Sequence, residues 1–268
     1  MSILEQLTDY AKERVKIAKT QLSLDKLMAE ISTLPRGDFA FEQRIKQRNL
    51  IGEIAFICEC KKASPSKGVI DPVYDYLAIA RSYDAAKTDC ISVLTEPKWF
   101  LGSDKHLHEI AKTVSAPCLR KDFVVDDYQI YEAKLLGAQA VLLICSILSD
   151  AQIKHMLELS NQLGLSALVE AHDSDEVKRA LDCGARMIGV NNRNLKDFSV
   201  DTSNSRRLRT LVPDDIIFVS ESGVKDSVDV KNIVDCGANA ILVGEAMMRS
   251  TDKSAMLQSL RSYQEVWL

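Results

Sequence analysis

Long apolar runs are missing from this sequence. No stretch approaches the ~20 consecutive apolar residues that cross a bilayer. The N-terminal segment, residues 1–6, also lacks a basic region followed by an apolar run, so no secretory signal is expected. No stretch rich in proline, glycine and serine divides the chain, which favours one domain. These absences predict a cytoplasmic protein that does not bind a membrane.

The sequence also lacks the cysteine and histidine spacings of disulfide frameworks and metal sites. The cysteines are odd in number and lie in apolar segments, as expected for reduced thiols: Cys58, Cys60, Cys90, Cys118, Cys145, Cys183 and Cys236. The first two are separated by one residue, whereas common zinc and redox motifs have a two-residue gap. The histidines fall in predicted helices or loops without metal spacing: His106, His108, His155 and His172. We therefore predict no bound metal and interpret the histidines as structural.

Strong positive charge is absent as well. The formal net charge is −4, which disfavours binding to nucleic acid, because phosphate backbones attract basic surfaces. This charge does not exclude a small anionic ligand, which needs only a local cluster of cations. A Gly-x-Gly-x-x-Gly motif is missing after the first apolar run, which argues against an open dinucleotide-binding sheet.

Short apolar runs alternate with amphipathic stretches from Ile51 onward. Most runs are continuous and rich in leucine or β-branched residues, which is typical of parallel strands buried on both faces. Eight are found: Ile54–Cys60, Cys90–Thr95, Pro117–Lys121, Ala140–Cys145, Ala167–Glu170, Met187–Asn191, Ile216–Ser220 and Ala240–Val243. Strand–helix alternation predicts βαβ units. Similar Gly-Ala junctions at Gly137, Gly184 and Gly237 form a weak repeat, which favours a closed ring. The predicted fold is an α/β (β/α)8 TIM barrel.

The first 45 or so residues have a different pattern. Apolar residues recur at helical spacing over 4–18, and a second short helix is expected over 22–31. Pro35-Arg36-Gly37-Asp38 then interrupts the helical pattern. The predicted organisation is a single domain, 1–268, with an N-terminal helical extension at 1–45, the barrel core at 51–250 and a C-terminal helix at 251–268.

Polar side chains stand at the predicted C-terminal strand ends, where the active sites of such barrels lie. In the first strand, Glu59 and Lys61 share one face, and two cysteines share the other. The third strand ends at Lys121, where burial would lower the pKa of the ammonium group and suit it to donate a proton. The fifth strand ends at Glu170 and the sixth at Asn191. The structural alternatives are solvated charges, a surface lysine and ordinary turn residues.

The seventh and eighth predicted strands end in glycine-containing turns. Glu221-Ser222-Gly223 follows the seventh strand, and Gly244-Glu245 follows the eighth. Such barrels often bind phosphate at these two loops, because glycine lets an anion approach backbone N–H groups. The loop after the first strand, residues 64–68, is polar and long enough to fold over a ligand.

These segments, in this order, resemble indole-3-glycerol phosphate synthases. The matching stretches lie between residues 56 and 249: 59–68, 92–96, 120–123, 128–130, 169–170, 189–195 and 220–223. The resemblance implies a carboxy-lyase of tryptophan biosynthesis that needs no cofactor. Its substrate would be 1-(2-carboxyphenylamino)-1-deoxyribulose 5-phosphate, which carries a carboxylate and a phosphate. Ring closure, loss of carbon dioxide and loss of water would yield indole-3-glycerol phosphate.

The resemblance also implies roles for individual residues. Lys121 is the expected general acid of ring closure. The catalytic residues it implies are Glu59, Lys61, Lys121, Glu170, Asn191 and Ser222. The substrate-binding residues it implies, including an apolar wall for the anthranilate ring, are Ser64, Phe100, Phe123, Leu142, Ile144, Arg193 and Glu221. The phosphate ligands it implies are Lys61, Gly223, Gly244 and the backbone of Glu245.

Two positions depart from the family pattern. Glu245 stands where many relatives have serine, and Ala63 stands where some have a basic residue. Because a carboxylate repels phosphate, only the N–H group of Glu245 is expected to contribute. The expected partner is an anionic sugar phosphate. A monomer is expected, and weak association with other tryptophan-pathway enzymes is left open.

Three other functions stay open from the sequence. An aldolase-type barrel would use Lys121 to form a Schiff base. Another sugar-phosphate barrel, such as an isomerase, would bind the same phosphate without releasing carbon dioxide. A binding protein without catalysis is the third alternative. Binding alone does not require paired acids and bases, so the intact set at the strand ends argues against it: Glu59, Lys61, Lys121, Glu170 and Asn191.

Overall fold

The computed structural model describes residues 2–194 and 198–265. Three parts of the predictions lie outside the described residues: Met1 of the extension, Leu195 of the stretch 189–195, and residues 266–268 of the C-terminal helix.

Eight parallel strands close into a barrel in which each strand pairs with the next along the chain and the last pairs with the first. The strands are β1 Ala55–Cys60, β2 Cys90–Leu94, β3 Cys118–Lys121, β4 Ala140–Ile144, β5 Ser166–Ala171, β6 Met187–Asn191, β7 Ile217–Glu221 and β8 Ala240–Val243. The predicted (β/α)8 TIM barrel is therefore confirmed, and each predicted apolar run overlaps one strand.

Helices precede, separate and follow the strands. They are α1 Ile3–Gln21, α2 Leu24–Ser32, α3 Ala40–Leu50, α4 Tyr76–Ala85, α5 Asp104–Thr113, α6 Asp127–Leu136, α7 Asp150–Leu163, α8 Ser174–Asp182, α9 Ser203–Arg209, α10 Ser227–Asp235, α11 Glu245–Arg249 and α12 Lys253–Arg261. Single 3-10 turns cover Cys145–Ile147 and Ser262–Glu265, and a small antiparallel ribbon joins Ala63–Ser64 to Gly68–Val69. Within 2–194 and 198–265, no helix combines the length and the apolarity needed to cross a bilayer.

Side-chain alternation along the strands divides the core into two layers. Ile57 and Leu142 belong to the cluster inside the barrel, whereas Phe56, Cys58 and Cys60 pack outward against the surrounding helices. The predicted opposite faces of the first strand are thus present, with both cysteines in the outer layer. The inner face is left for Glu59.

Short polar side chains begin the helices that follow the strands. Asp126, Asp173 and Asp226 each accept hydrogen bonds from backbone N–H groups in the first turn of α6, α8 and α10. The expected glycines after α6, α8 and α10 all have positive φ angles, which glycine adopts without steric cost. These local signals end each helix and begin the next one, and because all eight strands run parallel, their C-terminal ends and the polar side chains there lie at one end of the barrel.

The N-terminal helices contact both ends of the barrel. Leu4 and Leu7 of α1 reach the C-terminal mouth. At the opposite end, Phe41 and Ile45 of α3 join the inner core cluster, so α3 packs across the N-terminal ends of the strands. The sequence pattern did not predict α3. Closure at the N-terminal end leaves the C-terminal mouth as the open side of the barrel.

Candidate active site

A cavity of about 930 Å³ opens at the C-terminal ends of the strands. This volume lies within the range of small-molecule sites in proteins. Every residue that the sequence singled out lines it: Glu59, Lys61, Ser64, Phe100, Lys121, Phe123, Leu142, Ile144, Glu170, Asn191, Arg193, Glu221, Ser222, Gly223, Gly244 and Glu245. The structure therefore brings together side chains from all parts of the barrel.

The ammonium group of Lys121 lies between two buried carboxylates. Its Nζ donates hydrogen bonds to Glu170 Oε2 at 2.8 Å and to Glu221 Oε2 at 3.0 Å. The side chains of both glutamates are at most 3% exposed. Because ionised donors and acceptors form the stronger hydrogen bonds, this trio fixes the position of Nζ.

The pKa of Lys121 departs from the sequence-based expectation. Burial lowers the pKa of the ammonium group, as predicted, but the nearby charges of Glu170, Glu221 and Glu59 outweigh burial and raise the pKa above its usual value. The expectation of a lowered pKa was wrong, because the sequence did not reveal the carboxylates around Nζ. Lys121 is thus protonated at neutral pH in the unliganded protein.

The two carboxylates around Lys121 differ in their pKa values. Burial raises the pKa of Glu170, but Lys121, His172 and the amide of Asn191 together lower it. Burial raises the pKa of Glu221 to about 7, with the charge of Lys121 opposing the shift and that of Glu170 adding to it. One oxygen of Glu221 has no hydrogen-bond partner among the described residues. Since one ammonium group cannot neutralise two carboxylates, Glu170 is the anion of the pair.

A chain of hydrogen bonds links Glu170 to the turn after β7. Asn191 Nδ2 donates to Glu170 Oε1 at 3.3 Å, and Ser222 Oγ donates to Asn191 Oδ1 at 3.0 Å. Ser222 has a φ angle of 68°, a conformation uncommon outside glycine, and Gly223 follows with 98°. A Cβ on Gly223 would lie 2.6 Å from Thr202 Cγ2, so the turn requires glycine there.

Glu59 and Lys61 form an ion pair in the same cavity. Glu59 is nearly fully buried, and Lys61 is partly exposed to the cavity. A Cβ on Gly244 would collide with the Glu59 carboxylate and would lie 2.9 Å from Lys61 Nζ. Gly244 therefore makes room for this pair. The sequence analysis had connected Gly244 only with phosphate binding.

One wall of the cavity is apolar. Phe100 and Phe123 lie with their ring centroids 6.2 Å apart, and Leu142 and Ile144 of β4 continue the wall. The backbone N–H of Phe100 donates to Glu96 Oε2 at 2.9 Å, so a buried carboxylate fixes the loop that carries this ring. A flat aromatic ligand would find its contact area here.

The turns after β7 and β8 form the other end of the cavity. Glu245 is the first residue of α11, and its carboxylate is 3.0 Å from Arg249 Nε and 3.5 Å from Lys67 Nζ. Burial tends to raise the pKa of Glu245, but Arg249 and Lys67 lower it. These partners neutralise the carboxylate, which removes most of the repulsion that the sequence suggested. Lys225 also lines this end.

Arg193 and Ser64 lie at the rim of the cavity. Arg193 Nη1 donates to the carbonyl oxygen of Phe198 at 3.2 Å, and its backbone N–H donates to Asn191 Oδ1 at 3.0 Å. Ser64 belongs to the small ribbon after β1, with its Oγ 3.4 Å from Ser66 Oγ. The ribbon is tied to the aromatic wall, because the Ala63 N–H donates to the carbonyl oxygen of Phe100 at 3.2 Å.

Several lining residues had no individual role assigned from the sequence. The cations Lys67, Lys225 and Arg249 and the apolar side chains Leu4 and Leu7 all face the cavity. The three cations follow strands 1, 7 and 8, so their place in the chain was the one usable signal. His172, interpreted as structural, lies 3.7 Å from Glu170 through its Nε2. In the part of the chain that the structure describes, no group of three or more metal-ligating side chains comes together.

Solved structures of low sequence identity share the fold. A 3-hexulose-6-phosphate synthase from Salmonella typhimurium aligns with a TM-score of 0.65 and 14% identity, covering 78% of this chain and 98% of that chain. A thiamine phosphate pyrophosphorylase from Pyrococcus furiosus aligns with a TM-score of 0.59 and 17% identity, covering 79% and 95%. These likenesses show the barrel alone.

Sequence relatives are more specific. A family model described as indole-3-glycerol phosphate synthase matches residues 4–260. A protein of that name from Ruminiclostridium cellulolyticum is 52% identical over 260 residues, which are 97% of this chain and 98% of the relative. One from Leuconostoc mesenteroides is 48% identical over 263 residues, with 97% and 98% covered. The resemblance at the strand ends is thus confirmed, and the chain belongs to the indole-3-glycerol phosphate synthase family.

Proposed function

We propose that this protein converts 1-(2-carboxyphenylamino)-1-deoxyribulose 5-phosphate into indole-3-glycerol phosphate, a step of tryptophan biosynthesis. The observation that carries the proposal is the position of Lys121, which lines the cavity with its Nζ held between Glu170 and Glu221. It combines an acid and bases within reach of one ligand, which a purely binding protein does not need. Membership of the family supports the same reaction.

The cavity suits the two ends of this substrate. The anthranilate ring would pack on the apolar wall of Phe100, Phe123, Leu142 and Ile144. The phosphate would lie at the turns after β7 and β8, against Gly223, Gly244 and the N–H of Glu245, with Lys61 between the two ends. Arg193, Ser64 and Asn191 would orient the chain. Cations around the cavity explain how a protein of net charge −4 can attract a dianionic group.

Ring closure would use Lys121 as the acid. The ring carbon that bears the carboxylate attacks the ketose carbonyl carbon, and Lys121 Nζ donates a proton to the carbonyl oxygen. The carboxylate then leaves as carbon dioxide, and its bonding electrons restore the aromatic ring. Lys121 suits this role because the neighbouring carboxylates raise its pKa and keep it protonated before it donates to the carbonyl oxygen.

Dehydration would follow at the same carbon. The hydroxyl group made in the first step must leave as water, which requires an acid near that oxygen and a base for the proton that is lost. Glu170 is an anion beside Lys121 and suits the base. The Glu59–Lys61 pair, which lines the same cavity, can accept or supply the second proton. Ser222 and Asn191 hold Glu170 in place through their hydrogen bonds.

The state of Lys121 disfavours the aldolase alternative. Schiff-base formation requires a neutral amine, whereas Glu170, Glu221 and Glu59 raise the pKa of this ammonium group. Borohydride treatment in the presence of substrate should therefore trap no adduct on Lys121. A trapped adduct, detected by mass spectrometry, would favour the aldolase chemistry.

The decisive experiment mixes the purified protein with the anthranilate-linked ribulose phosphate and follows indole fluorescence together with carbon dioxide release. Lys121→Met should keep substrate binding but lose activity by about 100-fold or more, because the acid is removed. Lys154→Met, at an exposed position of α7, is the matched control and should leave turnover unchanged. Undiminished turnover by Lys121→Met would remove this residue from the acid role. Product without carbon dioxide would favour an isomerase.

Three sequence-based predictions extend this function. A cytoplasmic location, a monomeric state and weak association with other enzymes of the tryptophan pathway all fit a biosynthetic enzyme. The monomer is open to a direct check by light scattering of the purified chain.

A further inference from the structure

The ring of His172 lies between two carboxylates just after the end of β5. Its Nδ1 is 3.3 Å from Glu176 Oε2, and its Nε2 is 3.7 Å from Glu170 Oε1. The side chain is 19% exposed, yet the Nε2 atom is enclosed by protein and has no hydrogen-bond partner among the described residues. His172 does not line the 930 Å³ cavity, so its ring lies beside Glu170 on the side away from the cavity.

Neighbouring helices fix the orientation of this ring. Glu176 Oε2 accepts the backbone N–H of His172 at 2.8 Å as well as facing Nδ1. Asn204 of α9 donates through Nδ2 to the carbonyl oxygen of His172 at 3.1 Å. The direction in which Nε2 points is therefore set by α8 and α9, independently of any ligand.

The pairing of donors and acceptors indicates the charge of the ring. Both carboxylates can only accept hydrogen bonds, whereas a neutral imidazole has one N–H group and one lone pair. Only the imidazolium form presents an N–H group to each carboxylate. Three carboxylates act on the ring, Glu170 of β5, Glu176 of α8 and Glu221 of β7. Lys121 of β3 is bonded to the first and third of them.

We propose that His172 is a positioning residue that acts as an imidazolium on Glu170, holding this carboxylate ionised and oriented from the side opposite Lys121. Glu170 Oε2 then faces Lys121, and Oε1 faces Asn191 and His172. The present 3.7 Å separation is longer than a hydrogen bond and would shorten as the site closes on a ligand. The catalytic consequence rests on the proposed function, in which Glu170 is a base: a second cation keeps it ready to accept a proton in each turnover.

The pKa values agree with this geometry. Burial lowers the pKa of His172, but the hydrogen bond to Glu176 and the charges of Glu170, Glu176 and Glu221 raise it overall. In turn, the charge of His172 is one cause of the lowered pKa of Glu170. The coupling is reciprocal, as linkage requires.

The first experiment measures the charge of the ring without substrate. Histidine side-chain NMR of the full chain is recorded against pH, and His172→Gln assigns the signal. The His172 signal should titrate above the usual histidine pKa, and Glu176→Gln or Glu170→Gln should move its midpoint down. A neutral His172 with one N–H group at pH 7 would overturn the proposal.

The second experiment measures the consequence for turnover. His172→Gln should lower kcat about tenfold and leave KM within about twofold, because the side chain acts through Glu170 and does not line the cavity. In the wild type, kcat should fall at rising pH as His172 loses its proton. This fall should disappear in His172→Gln. Glu176→Gln, which keeps the ring, should instead move that fall to lower pH. This variant tests the proposal even if His172→Gln folds poorly.

His155→Gln is the matched control. His155 also faces a carboxylate, Asp127 at 2.7 Å, but it is 60% exposed and lies on α7 outside the barrel. Its loss should change neither kcat nor the pH profile. If the wild-type protein makes no indole-3-glycerol phosphate, the proposed function fails while the NMR titration still reports on His172. If the wild-type protein is active and His172→Gln matches it in kcat and pH profile, this inference alone fails.

Discussion

Glu221 shares Lys121 with Glu170, and its position depends on a glycine in the neighbouring strand. Gly189 of β6 lies directly beside the Glu221 carboxylate. A Cβ built on Gly189 would overlap Glu221 Oε1 and would approach Leu168 Cδ1 at 3.1 Å. The leucine tip can move, whereas the carboxylate is held by Lys121. Glycine at this position therefore makes space for a functional side chain.

Gly189→Ala should displace Glu221 and, with it, Lys121. We expect a loss of stability of about 1–3 kcal/mol, the usual cost of adding a methyl group to a filled site. We also expect a lower kcat, because the general acid loses a partner that fixes its position. Urea unfolding and steady-state kinetics of the variant measure the two effects.

A double-mutant cycle isolates the overlap with the carboxylate. In a Glu221→Ala background, the carboxylate is gone, so the stability cost of Gly189→Ala should be smaller than in the wild type. Equal costs in both backgrounds would show that the added methyl group clashes with something other than Glu221.

The sequence allowed residue identities at the site to be predicted better than residue states. Lys121, Glu170 and Asn191 stood at the ends of apolar runs, and parallel strands of a barrel bring such ends together. The partners of Lys121, however, are 49 and 100 residues away in the chain. Without these distances, burial alone suggested a lowered pKa, and the structure gives the opposite direction. His172 was missed for the same reason, since only the fold shows that Glu170 and Glu176 flank it.

At the scale of elements, α1 is attached to the barrel mouth by a buried ion pair. Arg14 donates to both oxygens of Asp122, at 3.0 and 2.6 Å, and Asp122 also accepts from Thr95 Oγ1 at 2.7 Å. Asp122 is fully buried, and Arg14 is 18% exposed. Because Asp122 follows Lys121 directly, the same loop carries the general acid and the attachment point of the helix.

Arg14→Met should detach α1 and leave the Asp122 charge poorly compensated. We expect a loss of stability of about 2 kcal/mol at pH 7. This is below the full cost of a broken buried pair, because Thr95 still donates and Arg120 Nη2 lies 3.8 Å from Asp122 Oδ2. Burial raises the pKa of Asp122, but Arg14, Arg120 and Thr95 together lower it below its ordinary value. The stabilisation by Arg14 is therefore present above the pKa of the unfolded chain and is lost as pH falls. The difference between wild type and variant should therefore shrink towards pH 3. Urea unfolding at several pH values measures it.

Lys16→Met on the same helix is the control for this prediction. Lys16 pairs with Glu13 three residues away, and both side chains are at least 60% exposed. Such a surface pair contributes little, so its loss should cost under about 0.5 kcal/mol and should not affect KM. Arg14→Met should also raise KM, since Leu4 and Leu7 of α1 line the cavity. An Arg14→Met protein as stable as Lys16→Met would exclude the ion pair as the attachment.

Secondary-structure elements could be predicted from the sequence where consecutive residues are all buried. Each barrel strand is buried on both faces and reads as an apolar run, so β1 to β8 were all expected. Helix α3 was not, because its sequence, AFEQRIKQRNL, places only Phe41 and Ile45 as apolar residues one turn apart. Two residues do not establish a period. Only the structure shows where α3 lies, because Phe41 and Ile45 cover the N-terminal end of the barrel.

At the scale of the whole molecule, the site brings several buried carboxylates together. Glu59, Glu170 and Glu221 all lie inside the barrel mouth of a protein that is already acidic overall. Buried carboxylates cost free energy unless cations compensate them fully. Glu170 and Glu59 each have a lysine partner, whereas Glu221 shares one and keeps an unpaired oxygen. Function and stability should therefore conflict at Glu221.

Glu221→Gln should make the protein more stable at alkaline pH while reducing its activity. Burial raises the pKa of Glu221 to about 7, so the wild type loses stability as pH rises from about 4.5 through 7 and the buried carboxyl ionises. Glutamine does not ionise, so the variant should gain on the order of 2 kcal/mol relative to the wild type between pH 4.5 and pH 8. Glu245→Gln is the control, because Arg249 and Lys67 lower the pKa of Glu245 and keep its carboxylate ionised from pH 4.5 to pH 8, so the difference between this variant and the wild type should change little over that interval. Chemical unfolding of the three proteins at pH 4.5 and pH 8 measures both differences, and a Glu221→Gln curve parallel to the wild type would show that this carboxyl titrates at its ordinary pKa.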